Sequence, residues 1–175
     1  SMKWMMRAKE QRGAKLVVVD PRYTQTAAKA DIYAPLRSGT DIAFLGGMIK
    51  YIIDNNLYFR EYVVNYTDAS FLVNPDFKHA GQLDGVFSGY DPKTRKYDKK
   101  TWTFQLDENG IPKKDPTLQH PQCVFQIMRK HYARYTIDKV VAITGTPKEV
   151  LLEVYKAIGS TGKSNKVATV CYAMG

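Results

Sequence analysis

Gly13-Ala14-Lys15-Leu16-Val17-Val18-Val19-Asp20-Pro21-Arg22-Tyr23-Thr24 is the stretch that decides how this chain folds. Leu16 to Val19 is a continuous apolar run, mostly β-branched, of the kind that suits a strand covered on both faces in a parallel sheet. It stops at Asp20-Pro21, because proline removes a backbone donor and restricts the residue before it. Just upstream, Met2 to Arg12 has no β-branched residue and sets Trp4, Met5 and Ala8 to one side. Gly13 follows where a C-terminal cap belongs, so this segment reads as a helix.

Downstream, Ala27 to Ala30 reads as one helical turn, and Ile32 to Leu36 as a short extended segment with Pro35 at a strand end. Ser38-Gly39-Thr40-Asp41 then turns into a helix over Asp41 to Asp54. Thr40 is its expected N-cap, and Ile42, Leu45, Ile49 and Ile52 recur at helical spacing. A second helix is expected at about Tyr58 to Asn65, after a turn at Asn55-Asn56. From Asn74 to about Thr117 the chain is rich in Gly, Pro, Asp and Lys. Within it Thr101 to Leu106 alternates strictly and Asp107-Glu108-Asn109-Gly110 signals a turn, which predicts hairpin structure. The aromatics of this stretch (Phe87, Tyr90, Tyr97, Trp102, Phe104) argue against a disordered linker.

Helical pattern returns at Pro121 to Tyr135, with Val124, Ile127, Met128 and His131 on one face. A further helix starts at Thr136. Another starts at Thr146-Pro147-Lys148-Glu149, with a capping threonine, and ends at Gly159. Val167 to Tyr172 reads as a last buried strand. The order of elements gives an α/β fold, a mostly parallel sheet covered by helices, with residues 1–73 and 119–175 as one domain and 74–118 as a hairpin-rich insertion. Ligands of such sheets sit at the carboxyl ends of the strands, here Asp20–Thr24, Arg37–Asp41 and Ala173–Gly175.

The bulk properties narrow the function classes. A hydrophobic fraction of 44% against 25% charged residues is that of a globular chain, and no apolar run nears the ~20 residues of a membrane-spanning helix. The opening SMKWMMRAKE is broken by Lys3, Arg7 and Lys9 and does not read as a signal peptide. Cys123 and Cys171 are far apart and lack a nearby His or Cys, so neither a zinc finger nor a local iron–sulfur ligand set is expected. His79, His120 and His131 share no metal-ligand spacing. The net charge of +9, concentrated at Lys93–Lys100, Lys113, Lys114 and Arg129–Arg134, comes with no nucleic-acid-binding signature.

Three stretches could carry chemistry. Ala157-Ile158-Gly159-Ser160-Thr161-Gly162-Lys163-Ser164 approaches the spelling of a phosphate-binding loop. It follows a helix and precedes a strand, the reverse of what phosphate binding needs, so it reads as a glycine-rich connection. In Asp20-Pro21-Arg22-Tyr23-Thr24 a carboxylate at a strand end can accept ribose O–H bonds, and Arg22 can meet a phosphate. In Arg37-Ser38-Gly39-Thr40-Asp41 a glycine allows close approach, a helix start suits an anion, and a carboxylate can accept guanine N–H bonds. Together the last two describe a purine-nucleotide edge.

With these residues in place, the chain resembles the molybdopterin oxidoreductases. The match runs through Gly13–Thr24, Thr26-Ala27-Ala28, Ala30-Asp31 and Arg37-Ser38-Gly39-Thr40-Asp41-Ile42-Ala43. Gly89-Tyr90-Asp91, Trp102-Thr103, Leu106–Gly110, Thr117–Pro121, Arg134-Tyr135-Thr136 and Gly145–Lys148 resemble the catalytic subunit of respiratory formate dehydrogenases more narrowly. The resemblance implies a Rossmann-like domain holding one guanine nucleotide of a bis-molybdopterin guanine dinucleotide cofactor with molybdenum or tungsten. It assigns Asp20, Pro21, Arg22, Tyr23 and Thr24 to one nucleotide-contacting loop and Gly39, Thr40 and Asp41 to the other. Met174 and Gly175 would lie near the pterin. It further implies a fragment of an enzyme that oxidises formate to carbon dioxide, inactive in isolation, with the iron–sulfur cluster and the catalytic selenocysteine or cysteine outside this stretch. An iron–sulfur electron-transfer subunit, a membrane cytochrome subunit and a periplasmic location would follow for the parent. The alternative is a basic α/β nucleotide- or partner-binding module without redox activity.

Overall fold

Two parallel strands organise the structure, a computed structural model that describes residues 2–172. The described elements are α1 (Met2–Arg12), β1 (Val17–Val19), β2 (Ile32–Ala34), α2 (Asp41–Asp54), α3 (Arg60–Tyr66), β3 (Tyr90–Asp91), β4 (Lys96–Tyr97), α4 (Val124–Tyr132), α5 (Ile137–Thr144) and α6 (Lys148–Gly159). Val17, Val18 and Val19 of β1 lie opposite Ile32, Tyr33 and Ala34 of β2, while β3 and β4 form an antiparallel hairpin. The chain is therefore mixed α/β, with a small parallel sheet, and the bounds of α1 and α2 are those expected from sequence. It forms two compact units, residues 2–58 with 134–172, and residues 59–133.

In the first unit Ile32 and Ala34 point to one side of β2 and are buried there with Leu36, Phe44, Val140, Leu151, Val154 and Tyr155. Helix α6 packs on β2, and α2, α5 and α6 pack on one another. Each fully buried aliphatic side chain in such a layer contributes roughly 1.5–3 kcal/mol. Tyr155 is completely buried, and its hydroxyl donates to the Phe44 carbonyl at 2.6 Å. Gly47 makes room for it: a methyl at that position would lie 2.6 Å from the Tyr155 hydroxyl and 2.7 Å from Val140 Cγ2. Gly46 does the same beneath the Tyr135 ring.

Four expectations are corrected here. The buried face of α2 is Ala43, Phe44, Gly46, Gly47 and Ile53, whereas Ile42 and Leu45 are 77% and 46% exposed. The glycine pair lets α5 and α6 approach on that side, so close packing rather than the isoleucine spacing selects the face. Thr40 holds the N-cap position of α2, but its hydroxyl donates back to the Arg37 carbonyl at 2.6 Å instead of accepting a helix amide. Thr146 is buried and spends its hydroxyl on the Pro35 carbonyl at 2.7 Å, leaving α6 without a side-chain cap. Val167 to Tyr172 forms no strand; Val167 and Tyr172 are 88% and 87% exposed, because no described strand edge pairs with their amides. By contrast, Gly13 ends α1 as expected. At φ 63° it forms a left-handed cap in which its own amide reaches Lys9 O, and the Ala14 amide reaches back to Ala8 O.

The second unit has little regular structure and is held by aromatics and turns. Phe71 meets Phe104 edge-on at 4.9 Å, and Phe77, Phe87, Tyr90, Tyr97 and Trp102 form a chain of ring contacts between 5.1 and 6.3 Å. The expected strand over Thr101–Leu106 is realised as single bridges, Phe104 to Val73 and Leu106 to Pro112. The turn at Asp107–Gly110 forms, with the Asp107 amide bound to Ile111 O at 2.9 Å. Buried Cys123 donates its thiol to Ala69 O at 2.9 Å, and burial pushes that thiol up, so it behaves as a small hydrophobe. His79 and His120 accept amides of nearby turns through Nδ1, which are structural tasks.

Asp115 is the polar anchor of this unit. Its carboxylate accepts the Thr117 hydroxyl at 2.6 Å and the amides of Thr117, Gln119 and His120 at 2.7–2.8 Å. These bonds hold Leu118, which is buried, at φ 60°, a conformation rare for a non-glycine residue. Burial raises the Asp115 pKa, but the four hydrogen bonds outweigh it and bring the carboxyl to about 2.

Two outcomes are expected. Gly47→Ala overpacks the α2–Tyr155 contact and should cost about 1–3 kcal/mol in urea unfolding; an unchanged midpoint would refute the packing account. Asp115 has a folded pKa below the ~3.9 of an unfolded aspartate, so its contribution is complete above about pH 4 and is lost as pH falls toward 2. Asp115→Ala should therefore destabilise the second unit by about 1–3 kcal/mol at neutral pH. It should also flatten the stability profile between pH 4 and 2, read by amide exchange of residues 115–126; an equally steep profile would sink the assignment.

Candidate functional site

Because β1 and β2 are parallel and in register, the loops that follow them leave the same end of the sheet. One is Asp20–Thr24 and the other Arg37–Asp41. The pairing continues one residue past β1, where the Asp20 amide donates to Ala34 O at 3.2 Å.

The first loop is fixed from within. Asp20 Oδ1 accepts the Arg22 amide at 2.7 Å, closing an Asx turn across Pro21. The Asp20 carbonyl accepts the Tyr33 hydroxyl at 3.0 Å, and the Tyr23 ring stands edge-on to Tyr33 at 5.0 Å. Thr24 Oγ1 accepts the Ala27 amide at 3.2 Å and so starts the turn at Ala27–Lys29. Thus Asp20 and Thr24 shape the loop, while the side chains of Arg22 and Tyr23 are exposed to solvent.

In the second loop Gly39 has φ 78°, and a methyl built on it would meet nothing within 4 Å. Here glycine serves the backbone conformation, and the space beside it is open. Asp41 opens α2, exposed, where a negative charge is favoured by the helix dipole. The other aspartates of this unit are committed: Asp20 to the Arg22 amide, Asp31 to the Leu16 amide and Lys9, Asp54 to Lys50, and Asp138 to Lys148. Among the described residues Asp41 has no such partner.

Sequence reasoning missed the task of Arg37. Its Nη1 donates to the carbonyls of Ala142 and Ile143 at 2.7 and 3.0 Å, and its backbone amide donates to Thr144 O at 2.7 Å. The guanidinium thus neutralises the C-terminal end of α5 and lies against Gly145, whose φ of 71° ends that helix. The nearby Gly145 was a visible signal for a helix end, but nothing in the spacing links it to a residue more than a hundred positions earlier. The structure therefore sends the Asp20 and Gly39–Asp41 loops from the same end of the sheet and commits Nη1 of the exposed Arg37 to the end of α5. Met174 and Gly175 lie outside the described residues. The glycine-rich stretch at 157–164 holds the end of α6 and the turn after it, with Gly162 lying close against the backbone of Leu57, but the strand expected to follow it does not form among the described residues. No group of three or more His, Cys, Asp or Glu that could hold a metal occurs among the described residues.

No protein-family model matches the chain. Individual relatives do. The formate dehydrogenase subunit alpha of Megalodesulfovibrio gigas is 61% identical over 175 residues, all of this chain and 17% of that protein. Along its whole length the chain is similar to a segment of that subunit. The formate dehydrogenase-O major subunit of Escherichia coli (strain K12) agrees, at 52% identity over 99% of this chain and again 17% of that protein. Among solved structures, acetylene hydratase from Pelobacter acetylenicus matches with a TM-score of 0.55 and 25% identity, covering 95% of this chain and 15% of that one. The chain thus spans about one sixth of the length of these relatives.

Replacing Arg37 by Ala should loosen the C-terminal turn of α5 by about 1–3 kcal/mol, seen as faster amide exchange at residues 140–145. Lys should restore only part of this, because a single ammonium does not reproduce the planar fork. Unchanged exchange in the alanine variant would show that the contact carries no stability.

Proposed function

We propose that this chain is the part of a formate dehydrogenase catalytic subunit that holds one guanine nucleotide of a molybdopterin guanine dinucleotide cofactor. The observation that carries the proposal is Asp41: an uncommitted carboxylate at a helix start, next to a left-handed glycine with open space beside it, on the same sheet end as Asp20. The identity to formate dehydrogenase alpha subunits over the whole chain supports the parent assignment.

The residues present fit a guanine nucleotide. A carboxylate can accept two parallel N–H bonds from guanine, which is the task we give Asp41, and the absent Cβ of Gly39 lets the nucleotide come close to the backbone. Asp20 has one oxygen occupied by the Arg22 amide and offers the other to a ribose hydroxyl. Arg22 offers an exposed guanidinium for a phosphate, and Pro21, Tyr23, Thr24 and Thr40 hold the two loops in shape. Met174 and Gly175 are assigned toward the pterin on the resemblance alone.

When bound, such a cofactor would supply the two-electron acceptor for oxidation of formate to carbon dioxide and a proton, and Asp41, Gly39, Asp20 and Arg22 would hold its nucleotide end. None of the residues assigned here touches formate; they anchor the cofactor at its nucleotide end, and isolation of this segment from the rest of the subunit should leave it inactive. For the parent we further propose two copies of the cofactor, an iron–sulfur electron-transfer subunit, a membrane cytochrome partner and a periplasmic site of action.

The test is nucleotide binding, which needs no active enzyme. Titration of the chain with GMP, followed by amide chemical shifts, should move residues 20–24 and 37–42. Asp41→Ala should weaken GMP by tenfold or more while leaving AMP unaffected, in line with the roughly 1.5–3 kcal/mol of a hydrogen bond to a charged group. Equal binding of GMP and AMP, both insensitive to Asp41, would overturn the guanine assignment.

A further inference from the structure

The basic stretch at Lys93–Lys100 plays no part in the nucleotide site, and the structure shows how its charge is arranged. It forms the β3–β4 hairpin, in which Tyr90 pairs with Tyr97 and Asp91 with Lys96. Five cations (Lys93, Arg95, Lys96, Lys99, Lys100) share this hairpin with two carboxylates, Asp91 and Asp98. Both carboxylates are exposed and bonded to local donors. Asp91 accepts the Lys93 amide at 2.9 Å and the Thr94 hydroxyl at 2.7 Å, and Asp98 accepts the Lys100 amide at 3.1 Å. Two of the cations are also engaged: Lys100 pairs with Asp98 at 3.5 Å, and Lys99 lies over the Trp102 ring at 5.4 Å. Lys93, Arg95 and Lys96 remain, all exposed, and no described carboxylate forms an ion pair with any of them.

These three cations sit on a stiff support. Arg95 occupies the left-handed region at φ 53°, fixed by the turn. Behind the ladder the Tyr90 and Tyr97 rings meet at 5.1 Å, Tyr97 meets Trp102 at 5.3 Å, and the Trp102 indole N–H is tied to Ser88 O at 2.9 Å. Gly89 lets the strands close, since a methyl there would strike the Asp98 carbonyl at 1.9 Å. A surface cation fixed in place loses less entropy on binding than one on a mobile loop.

We propose that the tip of the β3–β4 hairpin is a docking site for a protein partner with a carboxylate-rich surface, with Lys93, Arg95 and Lys96 as the contacts. The groove at Leu106–Asn109 and Lys113, by contrast, carries the carboxylates of Asp107 and Glu108 and repels a small anion. An anionic membrane is a poorer fit, because recognition of such surfaces takes clusters of about four to eight cations and only three are free here. Nucleic acid is also a poorer fit: the aromatic faces beneath the hairpin are taken up by one another, leaving no stacking platform.

The experiment uses the 175-residue chain with poly-L-glutamate as the acidic probe, phosphatidylglycerol vesicles and a single-stranded DNA oligomer as competitors. The variant is Lys93→Ala/Arg95→Ala/Lys96→Ala, against a control of equal charge loss, Lys156→Ala/Lys163→Ala/Lys166→Ala. The hairpin variant should bind poly-L-glutamate at least tenfold more weakly and the control less than twofold, with the loss shrinking as salt rises. In the unaltered chain the probe should shift the amides of residues 92–97, a reading that does not depend on any variant folding. Equal weakening in both variants, absence of shifts at the hairpin, or tighter hairpin-dependent binding to vesicles or DNA would overturn the proposal. None of these outcomes touches the nucleotide site, which is read separately with GMP.

Discussion

The first unit depends on one buried contact, the Tyr155 hydroxyl donating to the Phe44 carbonyl through the gap left by Gly47. A buried phenol without a partner costs free energy, so this bond fixes how α6 lies against α2. Burial also pushes the phenol up, which keeps it a neutral donor. With α6 set, β2 is covered by Leu151 and Val154, and the carboxyl end of the parallel pair is left uncovered on the side where α2 begins. Arg37 and Thr146 then hold the turn after β2 to the α5–α6 corner, Arg37 by the α5 carbonyls and Thr146 by Pro35. The Gly39–Asp41 loop is thus anchored through Arg37 and Thr146 to the α5–α6 corner.

What the sequence made legible follows from how local the determinants are. α1 and α2 could be bounded to the residue because their ends are written in neighbouring positions, Gly13 for one and Ser38–Asp41 for the other. The choice of buried face on α2 was not legible from periodicity. Ile42 and Leu45 have the right spacing for a core stripe, but the glycines beside them, which carry no hydrophobic signal, are what α5 and α6 pack against. Thr40 and Thr146 failed as caps for a similar reason: each hydroxyl found a carbonyl outside its helix, and that partner is invisible to a window of a few residues. Val167–Tyr172 has the composition of a buried strand, but composition supplies no neighbour, and the described part of the chain holds none for it.

The second unit was read correctly as ordered and incorrectly as to how. Its aromatics do not line a regular hairpin over Thr101–Leu106; they pack on one another beside β3 and β4, and single bridges replace ladders. The turns between them rest on aspartates whose oxygens bind amides two to five residues on, at Asp91, Asp107 and Asp115. Such turns are short-range and could be inferred from Asp-rich, Gly-rich sequence, while the ring contacts could not.

That use of aspartates also separates structural from functional carboxylates. An acid whose oxygens already receive backbone amides has its charge compensated and its acceptors filled, so it adds little to a passing ligand. By that measure Asp31, Asp91, Asp107 and Asp115 are spent on the fold, and Asp54 and Asp138 are engaged instead by Lys50 and Lys148. Asp20 is half spent, and Asp41 is not spent at all among the described residues of its unit. The sequence placed both at strand or helix boundaries without distinguishing them from the rest. The hydrogen-bond pattern makes the distinction, and on the nucleotide reading proposed above the base falls to Asp41 and the more permissive ribose contact to Asp20. The same accounting separates cations less sharply, since Arg22, Lys156, Lys163 and Lys166 are as unengaged among the described residues as Lys93, Arg95 and Lys96; what sets the hairpin apart is that three such cations fall within four residues on one turn.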